Sequence, residues 1–169
     1  MLACWPQIES AEPTQDGGRL IVSKRHGVDI LLCDMLEKTC PLPAVHAAWV
    51  GSGLLNIAAW LTWSRICHGA IAPDTILIDP TTHSVRLMAG WCFSTPFGHR
   101  PQILPSRTLD LLPTLASAGE VVDASVDLHL IRQTLREGLG DPAGSRLSSG
   151  LVPQPLADGV NRPRCAYGI

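Results

Sequence analysis

Ile66-Cys67-His68-Gly69-Ala70-Ile71-Ala72-Pro73-Asp74-Thr75-Ile76-Leu77-Ile78-Asp79 is the stretch on which the reading of this chain turns. A loop carrying a histidine, a glycine and a proline runs straight into the β-prone triplet Ile76-Leu77-Ile78. A second strand, Val85-Arg86-Leu87-Met88, follows across Asp79-Pro80-Thr81-Thr82-His83-Ser84, whose proline and short polar residues suit a hairpin connection. Upstream lies the longest helical candidate, Val45 to Ile66, apolar on nearly every face and so expected at the centre of the fold. Gly51 and Gly53 interrupt it, which predicts a kink or a close contact there.

Further out, Ile8 to Val22 reads as two strands around the breakers Glu12 to Gly18. His26-Gly27 ends that hairpin, and Asp29 is placed to cap a short helix through about Lys38. Pro41 and Pro43 separate it from the long helix. Gly90 to Ala124 carries Pro96, Pro101, Pro105 and Pro113 with little periodicity, so it reads as a long irregular segment of the kind that serves function or once did. Val126 to Gly138 is helical again, with Leu128, Leu130, Ile131 and Leu135 on its apolar side. One short helix is expected in the tail, over Pro155 to Val160.

The chain of 169 residues predicts one domain, and 46% hydrophobic residues can fill its core. Thirteen basic against fifteen acidic residues give a net charge of −2, without the basic field that a nucleic-acid backbone needs. Cys4, Cys33, Cys40, Cys67, Cys92 and Cys165 form no C-x-x-C pair and read as reduced thiols. His26, His46, His68, His83, His99 and His129 make no metal-binding pair, and a G-x-S-x-G elbow is missing, so no metal, cofactor or hydrolase chemistry is expected. Trp49, Trp60 and Trp63 read as core packing. The opening Met1-Leu2-Ala3-Cys4-Trp5-Pro6 lacks a basic start and an apolar run, and the apolar stretch Ala44–Ala72 is broken by His46, Asn56 and Arg65. The expectation is a cytoplasmic protein without a membrane span.

The stretch from His68 to Thr75 resembles the catalytic loop of protein kinases, His-Arg-Asp-Leu-Lys-Pro-x-Asn followed by an apolar strand. Val85 to Trp91 resembles the strand and Asp-Phe-Gly turn that come next, and the whole element order is similar to a kinase chain read from the fourth strand of its small lobe onward. The His68-Gly69-Ala70 form is similar to degenerate kinase-like proteins of bacteria and phages. The resemblance implies a mainly α fold with small β-hairpins (α+β): a protein kinase-like large lobe with most of the small lobe missing. On that reading the single domain has a residual small-lobe hairpin and hinge at 1–27 and a C-lobe-like helical region at 28–169.

The departures bear on function. Phosphoryl transfer needs a carboxylate for the hydroxyl proton, amide and carboxylate ligands for magnesium, and a glycine loop with a lysine on the phosphates. The catalytic Asp position is Ala70, the metal-binding Asn is Thr75, and the metal-binding Asp of the second motif is Ala89. Residues 1–23, before the matched hinge at Lys24–Gly27, leave no room for the glycine loop. Gly51-Ser52-Gly53 lies in a helix and is no substitute. The resemblance therefore implies no ATP, no magnesium and no enzymatic activity. It gives His68, Pro73 and Asp127 structural roles, with Asp127 accepting from the backbone at His68–Gly69. Pro113-Thr114 stands where the family's Pro-Glu ends the activation segment, so the ion pair anchoring that segment is absent or rebuilt. The function implied is a pseudokinase scaffold or regulator with a protein partner, or self-association through the uncovered hairpin. A phage virion or assembly subunit on the same lobe, located in the virion, is the first alternative. An enzyme with new chemistry in the old cleft is the second.

Overall fold

The computed structural model describes residues 7–25, 27–117, 119–145, 158 and 160. His26 of the expected hinge, Cys4, Cys165 and most of the expected Pro155–Val160 helix lie outside the described residues. The chain opens with an antiparallel hairpin, β1 (Gln7–Pro13) and β2 (Arg19–Lys24), closed by Gly17 at φ 84°. A two-residue strand, β3 (Ile30–Leu31), leads directly into α1 (Leu32–Thr39). The long helix α2 (Ala44–Trp63) follows. Then come β4 (Ile66–Cys67), β5 (Ile76–Asp79), β6 (Ser84–Leu87), a 3-10 turn at Trp91–Phe93 and β7 (Thr95–Pro96). Among the described residues three longer helical segments follow: α3 (Ser106–Leu111), α4 (Thr114–Ser117) and α5 (Ala124–Gly138).

The core forms where α2 crosses α5 and the sheet. α2 buries Val50, Leu54, Ile57 and Leu61, while α5 contributes Val126, Leu130, Ile131 and Leu135. The two glycines of α2 are points of close approach: a Cβ on Gly51 would lie 3.2 Å from Leu135 Cδ1, and one on Gly53 would lie 2.6 Å from Val85 Cγ2. By length and composition α2 is apolar enough to cross a membrane (mean hydropathy 1.3). In this fold it packs on α5 and β6.

β3, β5 and β6 form a three-stranded antiparallel sheet in that order, pairing Ile30 with Ile78 and Ile76 with Leu87. The β5–β6 turn is closed by Asp79, whose carboxylate accepts from Thr81 N–H (2.8 Å) and the Thr82 hydroxyl (2.7 Å). Those bonds, the Thr82 hydroxyl first, hold its pKa below the usual value. β4 and β7 pair separately, Cys67 opposite Thr95.

Three expectations need correction. Of the three tryptophans read as core packing, Trp49 and Trp60 lie against the core, but Trp63, the last residue of α2, is 81% exposed. Asp29 caps no helix: α1 begins at Leu32 without a side-chain cap, and Asp29 is buried in an ion pair with Arg86, its carbonyl taking the Arg25 guanidinium. The segment from Gly90 to Ala124 is also less irregular than its prolines suggest. Pro105 stands just before α3 and Pro113 just before α4, starting helices where their missing N–H costs nothing.

Candidate functional site

The loop between β4 and β5 is fixed from beneath by α5. Asp123 caps that helix, accepting from Ser125 N–H (2.8 Å), so Asp127 falls in its first turn with the side chain aimed at the loop. Asp127 Oδ2 accepts from His68 N–H (2.8 Å) and Oδ1 from Gly69 N–H (2.9 Å), with the Cys67 thiol donating to Oδ1 at 3.7 Å. Gly69 sits at φ 72°, a turn that leaves both amides needing an acceptor. Burial pushes the Asp127 pKa up to about 6, against the pull of the two N–H bonds. Burial first, then the neighbouring Asp127 charge, push the Cys67 thiol well above its ordinary value.

His68 is fully enclosed. Its Nδ1 accepts from Ala70 N–H (3.3 Å), which places the proton of the neutral ring on Nε2. Nε2 has no hydrogen-bond partner of good geometry, and burial, opposed by the nearby Ala89 backbone, lowers the His68 pKa to about 4. The ring meets Trp91 edge-to-face, centroids 4.8 Å apart at 87°, and Trp91 is tied by its indole N–H to the Leu87 carbonyl (3.2 Å).

Thr75 closes the loop. Its hydroxyl lies 2.9 Å from each of the Ala70 and Ala72 carbonyls and accepts from Ala72 N–H (3.0 Å). The Thr75 carbonyl in turn accepts from Met88 N–H (2.8 Å) and Ala89 N–H (3.4 Å). Pro73 presents its carbonyl to Cys33 N–H of α1 (3.0 Å). Beside the loop lies a cavity of about 150 Å³, bounded by Ala70, Asp74, Thr75, Phe93, Arg107 and Thr108. Arg107 bridges the Ile71 carbonyl (3.2 Å) and Glu137 on α5 (2.8 Å), while the Thr108 hydroxyl donates to the Gly69 carbonyl (2.7 Å).

No family model matches the chain, and no curated protein matches it. A solved structure does: the kinase PK-1 of the Cydia pomonella granulovirus, with a TM-score of 0.70 over 94% of this chain and 67% of that one, at 16% identity. The fold is protein kinase-like. Within the kinase-like fold, the three positions Ala70, Thr75 and Ala89 converge through the Thr75 hydroxyl and carbonyl. Ala70 is 3% exposed, and Gly90, at φ 87°, lies against it: a Cβ there would be 2.9 Å from Ala70 Cβ and 2.8 Å from His68 Cε1. Among the described residues Asp74 is the one carboxylate on the cavity wall. Among the described residues no group of three or more His, Cys, Asp or Glu side chains could hold a metal.

The kinase-like segment between the second motif and α5 is where sequence reasoning missed most. Arg107 and Thr108 touch the loop from α3, which pattern alone did not reveal. The Pro105-Ser106 pair, a proline at a helix start, was the available signal. The ion pair Arg107–Glu137 anchors α3 to α5, while Thr114 is engaged locally with Glu120 (2.9 Å).

Proposed function

We propose that this chain is a catalytically silent kinase-like module that acts by binding another protein. The observation that carries the reading is the cleft beside the loop. Where phosphoryl transfer requires a proton-accepting carboxylate and oxygen ligands for magnesium, the chain offers the Ala70 methyl group, the Ala89 methyl group and a Thr75 hydroxyl. That hydroxyl is already spent on backbone carbonyls of its own loop. Asp74 alone is a poor magnesium site, since a hard divalent ion bound by protein usually takes more than one carboxylate or a phosphate as well. What the chain retains, the Asp127 and His68 contacts, braces the scaffold. A kinase-like body without its reacting groups still presents surface, and surface is what a regulator or scaffold uses.

Two sets of measurements test the two halves. A ligand at a hundred times its Kd stabilises the native state by about 2.7 kcal/mol, a shift of several degrees for a chain this size. Millimolar ATP with magnesium is expected to leave Tm unmoved, with no label passing from ATP to the chain or to a general protein substrate. A reproducible rise in Tm or any label transfer overturns the silent reading. For the binding half, light scattering should find self-association, or purification from the source cells should yield a stoichiometric protein partner. A monomer that copurifies with nothing counts against it.

A further inference from the structure

The hairpin at the start of the chain has two unlike edges. Thr14 N–H donates to the Gly18 carbonyl (3.0 Å), so Gly18 faces inward across the turn. Antiparallel pairing alternates inward and outward residues along each strand. The backbone N–H and C=O groups of Arg19, Ile21 and Ser23 therefore point to the open side of β2, and those of Leu20 and Val22 point to β1. Pro13 pairs with Arg19, so it faces outward on β1 and offers no donor there. The β1 register also shifts between Ile8 and Ser10, and the strand carries Glu9 and Glu12. Proline, a break in register and charge guard an edge against further pairing. β2 carries neither proline nor a break, and its centre is uncharged.

That centre is the run Leu20-Ile21-Val22, all three exposed. Successive side chains alternate between faces, so the run places apolar surface on both sides of the ribbon, the pattern of a strand inside a sheet. Arg19 and Lys24 stand at its ends, both exposed and neither in an ion pair among the described residues. Arg19 shares the face of Ile21, and Lys24 that of Leu20 and Val22. A second copy laid on this edge would gather two arginines and two lysines on one pair of strands, which like charge opposes. An acidic residue at each end of an incoming apolar strand would meet both cations.

We infer that the open edge of β2 receives an extended segment of a partner protein, apolar over three residues and acidic on either side. The outward backbone groups of Arg19, Ile21 and Ser23 supply the pairing, and the two cations select the segment. The inference names the seat of the protein binding proposed above and rests on that reading.

The test titrates the full chain by calorimetry with three peptides. They are acetyl-Glu-Thr-Val-Ile-Val-Glu-amide, the same sequence ended by lysines, and the acidic peptide N-methylated on the backbone of its three apolar residues. The acidic peptide should bind at least about tenfold more tightly than the lysine-ended one. N-methylation should abolish saturable binding, because it removes the backbone donors and keeps the side chains. The double variant Arg19→Glu, Lys24→Glu, altered only at exposed positions, should reverse the order of the two peptides with Tm unmoved. Binding that survives N-methylation, an order that ignores the charge swap, or no saturable binding of the acidic peptide overturns strand addition at this edge. A dimer in light scattering that Ile21→Pro dissociates would make a second copy the occupant and overturn the acidic partner. A partner from the source cells whose binding ignores the charge swap would overturn this seat and leave the protein-binding reading in place.

Discussion

Asp127 and His68 titrate in opposite senses in almost the same window. The folded chain holds the Asp127 proton more tightly than the unfolded chain, pKa about 6 against 3.8. Its contribution to stability is therefore full below pH 3.8 and lost as the pH rises through 6. His68 is the reverse, about 4 folded against 6.5 unfolded, so its contribution is present above 6.5 and lost as the pH falls through 4. Each effect is on the order of 3 kcal/mol across its window, and the two nearly cancel. Stability of the native chain should change little between these limits. Asp127→Asn should unmask a loss of stability on acidification, and His68→Phe a loss on raising the pH. Urea unfolding at a series of pH values reads both slopes; parallel curves for all three proteins would show that neither group titrates as assigned.

At the scale of elements, α2 contains two glycines with different neighbours. Replacing glycine by alanine inside a helix gains about 1 kcal/mol of propensity. At Gly51 the new methyl group meets the end of the Leu135 side chain at 3.2 Å, which can give way. Gly51→Ala should stay within about 1 kcal/mol of the native chain. At Gly53 it meets the branched Val85 at 2.6 and 2.7 Å, pinned on β6, so Gly53→Ala should lose about 1–3 kcal/mol. Equal stability of the two variants by denaturant titration would contradict this packing.

The same elements show what was legible in the sequence. α2, α5 and the β5–β6 hairpin announce themselves through apolar runs and turn residues, because local pattern decides them. Asp29 misled because an aspartate before a helix reads as a cap, whereas its partner Arg86 is 57 residues away. The loop positions 68, 70, 75 and 89 were legible as a motif. Arg107 and Thr108 were not, since their meaning depends on contacts that only tertiary packing creates.

For the molecule as a whole, the β1–β2 hairpin is thinly tied to the body, with the Ser23 hydroxyl donating to Met88 Sδ at 3.5 Å. Its strands pack on each other, and Ile8, Leu20 and Ile21 are more than half exposed. A two-stranded ribbon has little independent stability. Amide hydrogens of residues 8–24 should therefore exchange by local opening, orders of magnitude faster than those of Ile57, Ile78 and Ile131 in the core. Protection of the hairpin at the core's level, in a monomer, would show that it is held by contacts beyond those described. The crowding of Gly90 against Ala70 and His68 has a bearing on how such a chain can change through descent. A side chain at 90 would occupy the space of the Ala70 methyl group and the His68 ring, so no one of these three positions is at liberty to drift by itself. Among relatives they should covary as a set, and a lineage that had adopted glycine at 90 could regain a bulky residue there only by a concerted path through all three sites.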